Sequence, residues 1–166
     1  MNNYKQRERR DRGEEFQEEI RRSWRLIPNC WRMRIADGRG GTRPADEIIL
    51  TMNGNFLAEH KRTSGARLSF DFLRSNQAKG LIDFDNALPQ NYGLIFISFH
   101  NRVLDEAYAI RLVSAMEYMH SYRKYYIPLR DIQQGIRINA IQLPRIVTND
   151  ELAYDLQELV RCCKLL

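Results

Sequence analysis

One segment constrains the fold of this chain more than any other: residues 92–100 read YGLIFISFH and are apolar almost throughout. The β-branched and aromatic side chains of this segment favour a strand that is buried inside a sheet. Residues 106–112 follow after a turn at Asn101-Arg102, and they are predicted to pair with that strand. We therefore expect a sheet whose buried strand lies at residues 92–100.

A helix is predicted near the N-terminus because apolar side chains recur there every three or four positions. These side chains are Phe16, Ile20, Trp24 and Ile27. They predict a helix over about residues 14–24, which Pro28 ends. Acidic residues come first along this segment and arginines come last, an order that suits the helix dipole.

Further elements are predicted from turn signals and hydrophobic runs. Asn53-Gly54 lies between two such runs and predicts a β-hairpin. The predicted segments are strands at residues 30–35, 46–52 and 55–61, and helices at residues 70–79, 113–122 and 150–163. Strands and helices in mixed order indicate an α/β or α+β fold, and we expect α/β with a mixed central β-sheet flanked by helices.

Composition bounds the class of protein. The 166 residues are 43% hydrophobic and 28% charged, which suits a folded domain rather than wholesale disorder. The formal charge of +5 fits a polyanionic partner without identifying one. No apolar run approaches the roughly 18 residues of a membrane helix, and the polar N-terminus has no secretory signal pattern. Three cysteines without CxxC spacing argue against a disulfide framework or a zinc site, so we expect a reducing cytoplasm.

Two basic segments are candidates for phosphate binding. Residues 1–12 are predicted to be a flexible basic arm that includes Arg9 and Arg10. This arm either tracks DNA phosphates or is a solubilising tail. Residues 37–43 form a Gly-rich loop with Arg39 and Arg43, which either shapes itself on nucleic acid or is a flexible connector.

The predicted hairpin brings charged side chains together. A two-residue turn at Asn53-Gly54 pairs positions that sum to 107 and places Asp46, Glu59 and Lys61 on one face. Two converging carboxylates suit a hard cation such as Mg²⁺, and a nearby lysine can orient a water molecule or stabilise charge on phosphorus. The alternative is a simple cross-strand ion pair between Asp46 and Lys61. Glu47 falls on the opposite face, across from His60, and is the poorer candidate for a ligand.

Gln77 is a polar residue on the apolar stripe of the predicted helix at residues 70–79. A polar side chain on a buried face needs hydrogen-bond partners. The Gln77 amide is therefore either a satisfied structural group or a group that completes the metal and water site.

Several short segments share their order and spacing with one nuclease family. They are Gly13-Glu14-Glu15-Phe16, residues 34–38, Pro44-Ala45-Asp46, Glu59-His60-Lys61-Arg62-Thr63-Ser64-Gly65, Leu68-Ser69-Phe70 and Arg74-Ser75-Asn76-Gln77. Over residues 13–135 the chain resembles the RecU-like Holliday junction resolvases of the PD-(D/E)XK nuclease superfamily, in the short form carried by phages of Gram-positive bacteria. The resemblance implies a restriction-endonuclease-like fold, a homodimer, and cleavage of four-way DNA with Mg²⁺, for which Mn²⁺ can substitute.

The resemblance also implies roles for individual residues. Asp46 and Glu59 correspond to metal ligands, Lys61 to the catalytic lysine and Gln77 to a supporting amide. The chain departs from the family at Gln17, where a glutamate is usual on the first helix, so its metal site is expected to be weaker or to hold one ion unless Glu14 or Glu18 substitutes. It also departs at His60, where the family has an apolar or small residue. We expect His60 to pack in the sheet or to hydrogen-bond to Glu47.

Together these features predict a Mg²⁺-dependent endonuclease that resolves Holliday junctions by paired nicks in branched DNA. The expected organisation is the arm at residues 1–12 and one nuclease domain at residues 13–166 with a C-terminal helix. The expected location is the cytoplasm of a bacterium or of a phage-infected host, with no membrane contact. The residues expected to hold phosphates are Arg9, Arg10, Arg39, Arg43, Arg62 and Arg67. The alternatives are a restriction- or repair-like endonuclease on duplex DNA, and a non-catalytic DNA-binding protein.

Overall fold

The structure, a computed structural model, describes residues 2–36 and 43–166, with side chains from residue 11 onward. Six strands make the central sheet: β1 (Trp31–Arg34), β2 (Glu47–Leu50), β3 (Asn55–Thr63), β5 (Asn91–His100), β6 (Asp105–Arg111) and β8 (Ile141–Gln142). Their order is β1-β2-β3-β5-β6-β8. The β3–β5 pair is parallel and the other neighbours are antiparallel. The predicted α/β fold with a mixed central sheet is confirmed.

Within the described ranges, two two-stranded sheets and five α-helices surround this sheet. The small sheets pair β4 (Arg67–Ser69) with β7 (Tyr126–Pro128), and β9 (Arg145–Thr148) with β10 (Glu151–Tyr154). The helices are α1 (Asn2–Trp24), α2 (Ser75–Ala87), α3 (Leu112–Tyr122), α4 (Leu129–Gln134) and α5 (Gln157–Cys162), followed by a 3₁₀ turn (Cys163–Leu165). Across the described ranges, no helix combines the length and apolar character that a membrane span requires.

The sheet is covered on both faces, which explains the apolar run of β5. On one face, Phe96 packs in a cluster with Phe16 and Ile20 of α1. On the other face, Ile95 packs with Leu81 of α2. Nine of the ten residues of β5 are buried, since alternate side chains enter the two clusters.

The first helix has the predicted apolar stripe but a different beginning. All four stripe residues are buried, and the helix ends at Trp24 as expected. It begins at Asn2 rather than near Glu14, because residues 2–12 contain neither glycine nor proline to interrupt the helix. In the predicted basic arm, the side chains of residues 1–10, including Arg9 and Arg10, lie outside the described residues.

Two predicted helices differ from the structure. Residues 70–74 are not helical, and α2 begins only at Ser75. The predicted helix at residues 150–163 is wrong in its first part, where β10 pairs with β9. Asn149 and Asp150 have φ angles of 49° and 62°, the left-handed conformation of a tight hairpin turn. Such a turn reverses the chain before α5 begins.

The register of the central hairpin also differs from the prediction. Leu50, rather than Met52, pairs with Asn55, so paired positions sum to 105 instead of 107. The Thr51 hydroxyl donates to the Gly54 carbonyl at 2.7 Å and accepts from the Gly54 amide at 3.2 Å. This side chain closes a wider turn over residues 51–54, and the shift by two positions leaves the side chains of the paired residues 47–50 and 55–58 on their predicted faces.

Candidate metal and DNA site

Asp46 is held at the entrance to β2 by main-chain hydrogen bonds on both sides. Its carbonyl accepts from the Ile35 amide at 2.8 Å, and its amide donates to the Ala58 carbonyl at 3.0 Å. Glu47 is also paired with Ala58, so two consecutive residues face one residue of β3. This irregular step resembles a β-bulge, a device that redirects side chains at the end of a ladder.

The Asp46 carboxylate has a different positive group at each oxygen. Oδ2 accepts from the His60 amide at 2.9 Å and lies 3.1 Å from His60 Nδ1. Oδ1 lies 2.7 Å from the guanidinium of Arg43. Burial raises the pKa of Asp46, but the hydrogen bonds and charge of His60, with the charge of Arg43, outweigh burial and lower it. The carboxylate is therefore ionised at neutral pH.

Glu59 lies beside Asp46 and is only 6% exposed. Among the described residues its Oε2 atom has no hydrogen-bond partner. Burial and the neighbouring Asp46 charge raise the pKa of Glu59 to about 7, against lowering effects that include a hydrogen bond with Gln77. A buried, partly unsatisfied carboxylate next to a second carboxylate is a costly arrangement unless a cation joins it.

The beginning of α2 contacts both Glu59 and the segment that contains Arg43. The Gln77 side chain accepts from the Arg74 amide at 3.0 Å and closes the helix end, and it lies near enough to Glu59 to lower the pKa of that carboxyl. Asn76 Nδ2 donates to the Arg43 carbonyl at 2.8 Å. The helix can approach this segment because residue 80 is glycine: a Cβ on Gly80 would lie 2.5 Å from Pro44 Cβ. Gln77 is thus both a structural amide and a contact of the candidate ligand.

Lys61 follows on the same face of β3 as Glu59. Its ammonium group lies 4.9 Å from the centre of the Phe72 ring. The pKa of Asp71 is lowered mainly by a hydrogen bond from Ser69, and the charge of Lys61 lowers it further. The lysine therefore lies at the edge of the site, near the loop between β4 and α2.

A pocket of about 380 Å³ opens between α1 and the strands next to Asp46. It is lined by Glu14, Gln17, Glu18, Arg21, Arg32, Arg34, Asp46, Glu47 and His60. Gln17 therefore faces the same space as Asp46. Glu18 forms ion pairs with Arg21 and, at 3.9 Å, with Arg22, and the Arg21 hydrogen bond lowers its pKa. Its negative charge is already partly balanced.

The donor set fits a hard cation held by few protein ligands. Oxygen atoms of Asp46 and Glu59 are the ligand type that Mg²⁺ prefers, and Arg43 already places a positive charge at one of them. In the described ranges no group of three or more His, Cys, Asp or Glu side chains is arranged to hold a metal. Mg²⁺ commonly keeps water molecules and substrate phosphates among its ligands, so two carboxylates suffice for it.

The residues predicted to hold phosphates fall in different surroundings. Arg62 has a side chain only 3% exposed; it donates to Glu15 at 2.9 Å, pairs with Glu19 and lies 5.2 Å from the Phe16 ring centre. A phosphate contact would require these ion pairs to break. Arg67 is exposed and lies 5.2 Å from the Tyr126 ring centre. Arg39 lies outside the described residues.

The sequence patterns missed Asn76 and the pocket arginines Arg32 and Arg34 as parts of the site, while Glu47, predicted to be the poorer candidate for a ligand, lines the same pocket as Asp46. Asn76 lies in the Arg74–Gln77 segment that carries the family resemblance, and this signal could have identified it. The expected contact of His60 with Glu47 is confirmed, with Nε2 3.0 Å from Glu47 Oε1. The second contact of His60, with Asp46, was not predicted.

Comparison with known proteins finds a likeness among solved structures. No protein-family model matches the chain, and no curated protein matches it. Among solved structures, the chain is similar to Hjc, a Holliday junction resolvase from Archaeoglobus fulgidus, at 11% sequence identity. The match covers 76% of this chain and 82% of that chain, with a TM-score of 0.36.

Proposed function

We propose that this protein is a metal-dependent endonuclease that resolves Holliday junctions by paired nicks. The observation that carries the nuclease part is the buried pair of carboxylates, Asp46 and Glu59, with a Glu59 oxygen that has no hydrogen-bond partner among the described residues. Mg²⁺, or Mn²⁺ in its place, would bind between them. The selectivity for four-way DNA and the homodimer follow from the resemblance to RecU-like resolvases.

Each residue of the site has a distinct task in this proposal. Asp46 and Glu59 hold the metal ion, and Gln77 keeps the Glu59 carboxylate in place. Bound Mg²⁺ would supply polarisation of the scissile phosphate and a lowered pKa for the attacking water. The Lys61 ammonium orients that water and stabilises the charge that develops on the phosphoryl oxygens. Expulsion of the 3′ oxygen leaves 5′ phosphate and 3′ hydroxyl ends.

DNA would reach this site past two pockets that contain basic side chains. The pocket beside Asp46 contains three arginines and four acidic residues, and Arg21 and Arg32 are paired with Glu18 and Glu47, so Arg34 is its best candidate for a phosphate contact. A second pocket of about 290 Å³ contains Arg12, Lys61 and residues 62–64. Positive side chains on both sides of the carboxylates suit a phosphate backbone that passes over them.

Incubation with a synthetic four-way junction and with linear duplex, each with and without Mg²⁺, tests this function. We expect cleavage of the junction only with Mg²⁺, little cleavage of the duplex, and none of the junction by Asp46→Asn, which retains DNA binding. Equal cleavage of both substrates would favour a restriction- or repair-like endonuclease. Binding without cleavage by the wild type would favour a non-catalytic DNA-binding protein.

A further inference from the structure

His60 has contacts that packing alone does not require. Its main-chain amide and its Nδ1 atom both lie on Asp46 Oδ2, at 2.9 and 3.1 Å. Its Nε2 atom lies 3.0 Å from Glu47 Oε1 on the other side of the ring. The imidazole therefore bridges two carboxylates that belong to consecutive residues.

The ring itself is held firmly. It stacks on Phe96 with centroids 5.3 Å apart and an interplanar angle of 11°, and it contacts the edge of Phe16 at 6.0 Å. Glu47 is fixed in turn by an ion pair with Arg32. Only 3% of the His60 side chain is exposed. A continuous series of contacts thus runs from Arg32 through Glu47 and His60 to Asp46.

The two oxygens of Asp46 consequently differ. Oδ2 is occupied by two donors of His60, whereas Oδ1 lies 2.7 Å from the guanidinium of Arg43. The Nδ1 side of the imidazole lies against the Asp46 carboxylate and its Nε2 side against the Glu47 carboxylate. A hydrogen bond in which an N–H group donates to an ionised carboxylate is stronger than one between neutral groups.

We propose that His60 is a positioning residue of the metal site: it holds Asp46 by Oδ2 so that Oδ1 is the oxygen presented to the metal ion, and Glu47 and Arg32 fix the ring from behind. This inference rests on the proposed function, because it assumes that Asp46 is a metal ligand. Contacts that orient a metal ligand in this way commonly contribute a substantial share of metal affinity.

Two substitutions separate positioning from packing, because each places an amide nitrogen near the position of one of the two imidazole nitrogens. His60→Asn places its amide nitrogen near the position of Nδ1 and can still donate to Asp46. His60→Gln places its amide nitrogen near the position of Nε2 and can contact only Glu47. His60→Leu keeps the apolar packing and lacks both side-chain donors, while the main-chain amide of residue 60 still donates to Asp46 Oδ2 in all three variants.

Isothermal titration of Mn²⁺ into the full-length protein without DNA measures the effect independently of activity. We expect His60→Asn to bind close to wild type, and His60→Gln and His60→Leu to bind about tenfold to hundredfold more weakly. Thermal unfolding of each variant confirms that it is folded. If His60→Leu does not fold, the comparison of the other two remains. Equal affinity of His60→Asn and His60→Gln, or wild-type affinity in His60→Leu, would overturn the proposal.

Cleavage assays on the same samples separate this inference from the proposed function. A wild-type protein that shows the expected ranking of Mn²⁺ affinities but cuts no four-way DNA would contradict the proposed function and support the role of His60. Cleavage by wild type together with equal Mn²⁺ affinity in all four proteins would contradict only the role of His60.

Discussion

The guanidinium of Arg43 lies 2.7 Å from Asp46 Oδ1, so the protein places one of its own positive charges against the oxygen that we propose binds the metal. The main chain of Arg43 is held separately, by the hydrogen bond from Asn76 to its carbonyl. The side chain can therefore leave Asp46 while the backbone stays in place. Departure of Arg43 would make Asp46 available to the metal ion and direct the guanidinium towards DNA.

Arg43→Gln should therefore have opposite effects on metal and DNA. Removal of the competing cation is expected to strengthen Mn²⁺ binding without DNA by about fivefold or more, because an exposed ion pair contributes up to about 1 kcal/mol and this pair is largely buried. Binding of four-way DNA should weaken, because a phosphate contact is lost. Calorimetry and fluorescence anisotropy measure the two effects. Lys164→Gln removes an exposed charge from the 3₁₀ turn and serves as the control. Unchanged Mn²⁺ affinity in Arg43→Gln would show that Arg43 does not compete.

Glu59 should make the metal-free protein less stable as the pH rises. Burial and Asp46 raise the pKa of Glu59 from 4.5 to about 7, so between these values the folded state holds a proton that the unfolded state has lost. The contribution of Glu59 to the free energy of unfolding therefore falls as pH rises through this window. Glu59→Gln removes the charge and is expected to stabilise the metal-free protein near about pH 8 by about 1–3 kcal/mol, and much less near about pH 4.5.

Thermal unfolding with and without Mg²⁺ checks this prediction. Mg²⁺ should raise the melting temperature of the wild type, since a ligand that binds only the folded state stabilises it. Mg²⁺ should leave the melting temperature of Glu59→Gln nearly unchanged. A Glu59→Gln variant that is less stable than the wild type in metal-free buffer at the higher pH would show that the ionised Glu59 does not destabilise the folded protein.

Lys61 should matter for the cleavage step and little for binding. Lys61→Gln is expected to lower the cleavage rate by about 10²- to 10³-fold, the effect of losing one group that stabilises developing charge. Its Mn²⁺ affinity should stay close to wild type, because Lys61 is not a ligand. Lys79→Gln is a matched control, since Lys79 is exposed on α2 and pairs with Asp83. Single-turnover cleavage with saturating enzyme measures both variants. An equal loss in the two would point to a general charge effect.

Gln17 faces the same pocket as Asp46, at a position where the family that the chain resembles usually has a glutamate. Gln17→Glu adds a carboxylate and should lower the Mg²⁺ concentration needed for half-maximal cleavage. Glu18→Gln should change it little, because Glu18 is already paired with Arg21 and Arg22. Mg²⁺ titrations of cleavage distinguish the two. Damage from Glu18→Gln together with no effect of Gln17→Glu would instead assign the ligand to Glu18.

The elements that the sequence predicted well are those whose apolar pattern reports burial directly. The stripe of α1 and the continuous run of β5 correspond to buried surfaces, so spacing alone identified them. The turn of the β2–β3 hairpin was not predictable from Asn53-Gly54, because the Thr51 side chain determines where the strands begin to pair. The β9–β10 hairpin was not predicted, because the two residues with positive φ in its turn, Asn149 and Asp150, are not glycines.

The candidate site was predictable in its residue types and less so in its contacts. Asp46, Glu59 and Gln77 lie together as expected, although the predicted hairpin register on which that expectation was based differs from the observed one by two positions. The error was harmless because a shift by two keeps each side chain on its face. The contacts of Asp46 with His60 and Arg43 depend on the irregular step at the end of β2, which no period-2 pattern contains.

The most direct test is cleavage of a four-way junction in which each strand is end-labelled in turn, with wild type and Glu59→Gln compared in Mg²⁺. We expect the wild type to nick two opposite strands at related positions, a ligase to seal the products without trimming, and Glu59→Gln to bind the junction but leave it uncut. Cleavage by Glu59→Gln at the wild-type rate, or nicks at unrelated positions in the two strands, would contradict the proposed function.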